Sequence, residues 1–262
     1  MKINVSKFAL ISLAGLIVLF AASASAQSAS FIVAQHGSSV GSASYKFSPS
    51  SDGYDSTSVV RVSMTDLNYN LSKTEQLTPA RLLKQVQLSA TVNSTAVNIT
   101  GSPDAAQFLL NISSNGKSST TRLDLHNSAV FMPDFDPGAY ETLLALAVAN
   151  NNRGLWAILP KQAGSVFPIR LATYADEQGT LDGKPIEVHH LVATINGNDT
   201  HIFSGPENHL LQVELPYQGF ALVRKGFVLT PPAKAGPPPT PPPASADDQS
   251  NQPPPNQAPP NQ

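Results

Sequence analysis

Residues 136–150, DPGAYETLLALAVAN, form the one long stretch whose apolar residues recur with a helical period, and most of the chain on either side alternates like strand. Asp136 has the short acceptor side chain of an N-cap, and Pro137 fits the first helical position, where its missing N–H costs nothing. Asn150, Asn151, Asn152 and Gly154 supply the stop. Tyr140, Leu143, Leu144, Ala147 and Val148 fall at i, i+3, i+4, i+7 and i+8, Ala145 and Leu146 widen the apolar surface, and Glu141 is its single interior charge. A helix this apolar must lie against something, and the sequence offers it only sheet.

The strands are short and divided by turn chemistry. Residues 31–36 and 40–47 read as a hairpin across Gly37-Ser38-Ser39, followed by a turn cluster over 48–55. Val60, Val62 and Met64 are in phase, then Leu67, Tyr69 and Leu71, and a short helical turn is expected over 78–83. Val86, Leu88, Ala90 and Val92 alternate against polar neighbours. Asn115-Gly116 joins strands at 108–112 and 121–125, and Asn196-Gly197 joins 186–195 to 201–204. Further strands are expected at 155–159, 166–172, 210–215, 220–223 and 227–229. The fold class is therefore mainly β within α+β, a curved antiparallel sheet or open half-barrel packed on one principal helix at about 137–150; a β-sandwich with a decorating helix is the alternative.

Outside this domain, expected over residues 27–230, the composition changes twice. Lys2 and Lys7 precede the apolar run 8–22, and Ala24-Ser25-Ala26 offers small residues for cleavage, so residues 1–26 read as a signal peptide and the protein as exported to the periplasm or beyond. The run is too short for a membrane span, and no transmembrane segment is expected after cleavage. Residues 231–262 carry most of the 23 prolines and no large apolar side chain, which reads as a disordered Pro-rich tail able to reach an envelope protein or the cell wall. With no cysteine, neither a disulfide nor a lipid-carrying cysteine is available. A charged fraction of 13% and a net charge of −2 leave no electrostatic footprint for nucleic acid.

Four histidines, His189, His190, His201 and His209, fall in one region with Glu187 and Glu207. If Asn196-Gly197 is a hairpin turn, His190 and His201 share a face as diagonal neighbours, while Glu187 and His189 share the opposite face with Leu191 and Ala193. Two converging imidazoles are fewer than zinc normally takes, so His190 and His201 are only weak metal candidates and no cofactor is expected. Gly37-Ser38-Ser39-Val40-Gly41 matches a nucleophile elbow, but an alternating strand follows where the elbow needs a helix, and a turn explains the glycines. Asp134 with Asp136, and Asp176 with Glu177, read as caps or turns beside proline or glycine rather than as catalytic pairs. The sequence thus favours a non-catalytic protein. Phe131, Phe135, Tyr140, Leu143, Leu144 and Trp156 are the candidate lining of an apolar site between helix and sheet.

The segments FIVAQHGSSVGSASYKF at 31–47, WAILPKQAG at 156–164 and 186–227, which ends in HLLQVELPYQGFALVRKGF, with residues 140–146, resemble uncharacterised secreted or periplasmic β-rich proteins of soil bacteria, acidobacteria in particular. Modules of this kind are in turn similar to the curved-sheet-plus-helix proteins of envelope lipoprotein sorting. The resemblance implies a helix held in a curved sheet and transfers no catalytic residue. Three functions are compatible with these features: a binding module for an apolar small molecule or lipid, a structural or interaction protein using the tail, and a hydrolase or metalloenzyme using the histidine hairpin.

Overall fold

The computed structural model describes residues 26–161 and 163–231; the expected leader and Pro-rich tail lie outside the described residues. The first half is a long meander: β1 (Gln27–Gln35), β2 (Ser38–Ser50), β3 (Gly53–Ser63), β4 (Asn68–Leu77), β5 (Leu83–Val92), β6 (Thr95–Asp104), β7 (Gln107–Ser114) and β8 (Lys117–Asp124). Each strand pairs antiparallel with the one before. The second half runs β9 (Ala129–Phe131), α1 (Pro137–Ala149), β10 (Leu155–Leu159), β11 (Ser165–Thr173), β12 (Glu177–Leu181), β13 (Lys184–Ile195), β14 (Asn198–Ser204), β15 (Leu210–Leu215), β16 (Phe220–Arg224) and β17 (Phe227–Leu229).

β16 pairs with β1, which joins the halves into one open sheet running from β8 back to β1, across β16, β15, β14 and β13, and on through β11 and β10 to β9. The β9–β10 pair is parallel. The long strand β13 is shared: β11 takes residues 191–195, and β12, backed by β17, takes 184–188. The architecture is the curved antiparallel sheet on one helix, and among the described residues the two sheets of a sandwich do not form.

α1 has Asp136 as N-cap, its Oδ1 accepting from Gly138 N at 2.9 Å, and Asn150 as C-cap. Its residues touch β2, β3, β9, β10 and β15, strands far apart in the sheet order, so the sheet wraps the helix on several sides. Phe131, Leu143 and Leu155 are fully enclosed there, in a core that also takes Phe31, Phe47 and Phe108 from the meander. A second, smaller core of Val188, Phe203, Leu211 and Phe227 lies where β12 and β17 fold over.

The wrapping revises two expectations. The helix was read as burying one stripe that included Val148; instead it buries most of its circumference, and Val148 is 58% exposed. The side left open carries half-buried Ala145 and exposed Val148 and Ala149, with Glu141 buried beneath its edge. Residues 78–83 form a tight turn rather than a helical one: Arg81 N donates to Thr78 O at 2.9 Å, and Arg81 takes a positive φ of 63°. β12 has no counterpart among the expected strands, because its EQGTL carries no alternating apolar pattern. Among the described residues no helix is long and apolar enough to cross a membrane.

Candidate functional site at the open side of the helix

Strand β4 shows what holds the helix in the sheet. Its inward residues are Tyr69, Leu71, Lys73, Glu75 and Leu77, so two charged side chains project into the core. Lys73 Nζ lies 2.9 Å from Glu75 Oε2 and 2.5 Å from Asp136 Oδ2, with all three residues buried. Ser58 and Ser56 sit opposite Lys73 and Glu75 in register. Burial works against the Lys73 charge, yet Asp136 and Glu75 raise its pKa above the ordinary ammonium value; burial pushes Glu75 up, and Lys73 offsets this only in part. A lysine held fully protonated between two carboxylates offers no lone pair to a substrate. The triad therefore ties the α1 N-terminus to β4.

The second polar anchor lies at the open side. Glu141 Oε2 accepts from Leu210 N at 2.8 Å, Oε1 faces His209 Nδ1 at 3.1 Å, and Gln27 Nε2 donates to the same carboxylate and, at 3.3 Å, to the Tyr45 hydroxyl. Burial would push Glu141 up, but the His209 and Leu210 hydrogen bonds outweigh it and hold the carboxyl below its usual range. The same Glu141 contact raises His209. Arg81 closes the other wall, its guanidinium 4.3 Å from the Phe47 ring centre and 4.0 Å from that of Tyr54.

Two cavities lie beside the open side of α1. One of about 220 Å³ is bordered by Gln27, Arg81, Glu141, Ala145, Val148 and His209. The other, about 400 Å³, has an apolar wall of Leu144, Ala147, Val148 and Leu191 and a polar one of Asp176, His189 and Asn151. Val148 and Asn208 border both, so the cavities flank a single ridge. Of the six candidate lining residues, Leu144 faces this space. Phe131, Phe135, Tyr140 and Leu143 are buried in the main core behind it, and half-buried Trp156 stacks on His126 at 3.5 Å between ring centres. Arg81, Gln27 and Glu141 were missed as site residues; they lie on the β4–β5 turn, β1 and α1, far apart in the chain, and only the tertiary fold brings them to one cavity.

The histidine hairpin forms with Asn196 and Gly197 at φ of 50° and 78°. His190 stands opposite Phe203 and His201 opposite Val192, the diagonal relation expected, and His190 Nε2 lies 3.0 Å from His201 Nδ1. His190 Nδ1 meets Glu177 Oε1 at 3.0 Å, and its ring stacks on Phe203. Burial, reinforced by His201, lowers the His190 pKa although Glu177 opposes it; in its neutral form, a ring that donates from Nδ1 to Glu177 has Nε2 free to accept from His201. Among the described residues no three His, Asp or Glu groups converge to hold a metal ion. His189 is on the opposite face, bonded to Asp176 at 3.0 Å beside the larger cavity, while Asp134 pairs with Lys161 at 2.7 Å and Asp136 serves the triad. Compared with family models, curated proteins and solved structures, the chain finds no match.

Proposed function

We propose that this protein is an exported binding module that takes a small apolar or amphipathic molecule, such as a lipid, against the exposed side of α1. The observation that carries this reading is the pair of cavities meeting at Val148, apolar along Leu144, Ala147 and Leu191 and polar at the Arg81, Glu141 and His209 end. Because the core behind the helix is filled by Phe131 and Leu143, the seat lies at the rim rather than inside the half-barrel. Export follows from the leader-like first 26 residues.

The test is native mass spectrometry of protein purified from an exporting host, paired with titration by the apolar fluorophore N-phenylnaphthylamine. The expected result is a mass excess lost on denaturation and a probe signal that falls in Val148→Glu while the melting temperature holds. A clean apo mass together with an unresponsive probe overturns the reading.

The filled interior also supports a second reading, a packed envelope scaffold whose Pro-rich segment reaches a partner or the cell wall. Deleting residues 231–262 then redistributes the protein between envelope fractions; an unchanged distribution removes this reading.

A further inference from the structure

The outer face of the meander points to a second ligand, independent of the helix rim. Its side chains form rows across the strands. In one row Thr57, Thr74, Gln87, Thr100, Asn111 and Thr120 stand opposite one another from β3 to β8, and all six are exposed. The neighbouring row carries Ser72, Ser89, Asn98, Ser113 and Ser118. Neighbours within a row stand about 4.8 Å apart and the two rows about 6.8 Å apart, so the face is a lattice of hydroxyl and amide groups. None of these eleven positions is charged, although about a quarter of the residues in an ordinary soluble domain are.

The lattice is partly pre-ordered. Ser89 Oγ donates to Asn98 Oδ1 at 2.8 Å, and Thr120 Oγ1 donates to Asn111 Oδ1 at 2.6 Å. With these carbonyl oxygens engaged, the amide NH2 groups remain as donors and the hydroxyl lone pairs as acceptors.

Two depressions break this face in line along β3, β4 and β5, the second reaching β6 as well. One, about 220 Å³, lies over Thr57, Thr74, Gln76, Gln85 and Gln87. The other, about 380 Å³, lies over Asn70, Ser72, Ser89, Thr91 and Asn98, with Val59, Ala90 and Ala96 between them. β4 runs through both, with Asp55 beside the first and Arg61 beside the second. The span from Asn70 to Gln76 is about 20 Å at the strand rise.

We infer that the outer face of β3, β4 and β5 binds a linear, uncharged polysaccharide lying along β4. A neutral hydroxylated chain exchanges its water hydrogen bonds for those of the lattice without stripping water from an ion. A lipid finds only the small patch of Val59, Ala90 and Ala96 there, and a charged polymer meets Asp55 and Arg61, single charges of opposite sign at the two ends. Because each hydrogen bond replaces one to water, affinity per chain is low and retention depends on several sugar units at once.

The test is native affinity electrophoresis of the full mature chain in gels containing hydroxyethylcellulose, mixed-linkage β-glucan or pullulan, with each mobility referred to the same protein in a glycan-free gel. The expected result is retardation in at least one of the three. In Ser72→Arg/Thr74→Arg it should fall at least tenfold in apparent affinity, while Ser72→Thr keeps it and the melting temperatures of all three proteins agree. No retardation by any of the three glycans overturns the inference, as does equal retardation of the double variant. Retardation by anionic alginate alone would show a charge effect and overturn it as well. If the double variant fails to fold, Gln87→Arg, at the neighbouring strand of the same row, replaces it and is judged by the same outcomes.

Discussion

Lys73 Nζ stands 2.9 Å from Glu75 Oε2, two residues further along the same strand, and both side chains point into the core rather than to solvent. Lys73 also reaches Asp136, the residue that caps α1, so the strand and the helix start share one buried ion cluster. Taking such charges out of water costs several kcal/mol per ion, which good geometry roughly offsets.

Removing only the cation leaves two buried carboxylates without a counter-ion. Lys73→Ala should therefore destabilise the protein by about 3–5 kcal/mol, read as a shift of the urea midpoint. Replacing the cluster together, as Lys73→Met/Glu75→Leu/Asp136→Asn, should recover most of that loss, because the Asn side chain can still cap the helix. A triple variant as unstable as Lys73→Ala would show that the ions stabilise the fold outright.

Leu143 is fully buried where α1 meets the sheet. Leu143→Asp places an unpaired carboxylate there and should cost about 3 kcal/mol or more, and Leu143→Ala about 2–5 kcal/mol through the cavity it leaves. Chemical denaturation of both variants checks the order. A loss under about 1 kcal/mol in either would mean that the helix does not seat as described.

What the sequence disclosed was what depends on neighbours in the chain. The cap at Asp136, the proline after it, the stop at Asn150 and the turns at Asn115-Gly116 and Asn196-Gly197 all act through local backbone chemistry, and each stands where the residues put it. The His190–His201 approach followed from alternation once the hairpin was in place. The inward course of β4 was equally regular, since Lys73, Glu75 and Leu77 continue the phase of Tyr69 and Leu71, but charge argues for an outward face and only Asp136, more than sixty residues on, reverses that. Val148 and Glu141 were hidden for a related reason. Which side of a uniformly apolar helix stays open depends on how far the sheet curls, and that is fixed by the β1–β16 pairing.

His209 is held above the ordinary imidazole value by Glu141, which is itself held low. A raised histidine contributes stability that is complete below its unfolded pKa of 6.5 and lost as pH rises through the folded value. The lowered Glu141 contributes stability that is complete above its unfolded 4.5 and lost as pH falls through its folded value. The pair is therefore strongest between pH 4.5 and 6.5. His209 is 41% exposed, so screening limits its share to about 0.5–1 kcal/mol. His209→Ala should lower the melting temperature at pH 6 and converge on wild type by pH 9; a constant difference across that range would remove the ion pair as its cause.

Titration of the imidazole signals by NMR should separate the two histidines. His190, half-buried against Phe203 and beside His201, should titrate below 6.5, and His209 above it. Glu177→Gln should lower His190 further, because the carboxylate is what favours its charged form. A rise in that variant would contradict the assigned contact.

Gly138 shows how closely the helix approaches the sheet. A Cβ built on it would stand 2.5 Å from Ser58 Oγ and 3.2 Å from Tyr45 Cβ. In an open helix Gly→Ala gains about 1 kcal/mol. Here the added methyl should instead cost about 1–3 kcal/mol, because Ser58 is buried opposite Lys73 and the Cβ also crowds Tyr45 and Asp136. Ser58→Ala removes the colliding oxygen, so Gly138→Ala/Ser58→Ala should be more stable than Gly138→Ala alone, with a coupling of about 1 kcal/mol in a double-mutant cycle. Additive losses in that cycle would mean that helix and strand separate to admit the methyl, and that the triad at the adjoining position does not fix their spacing.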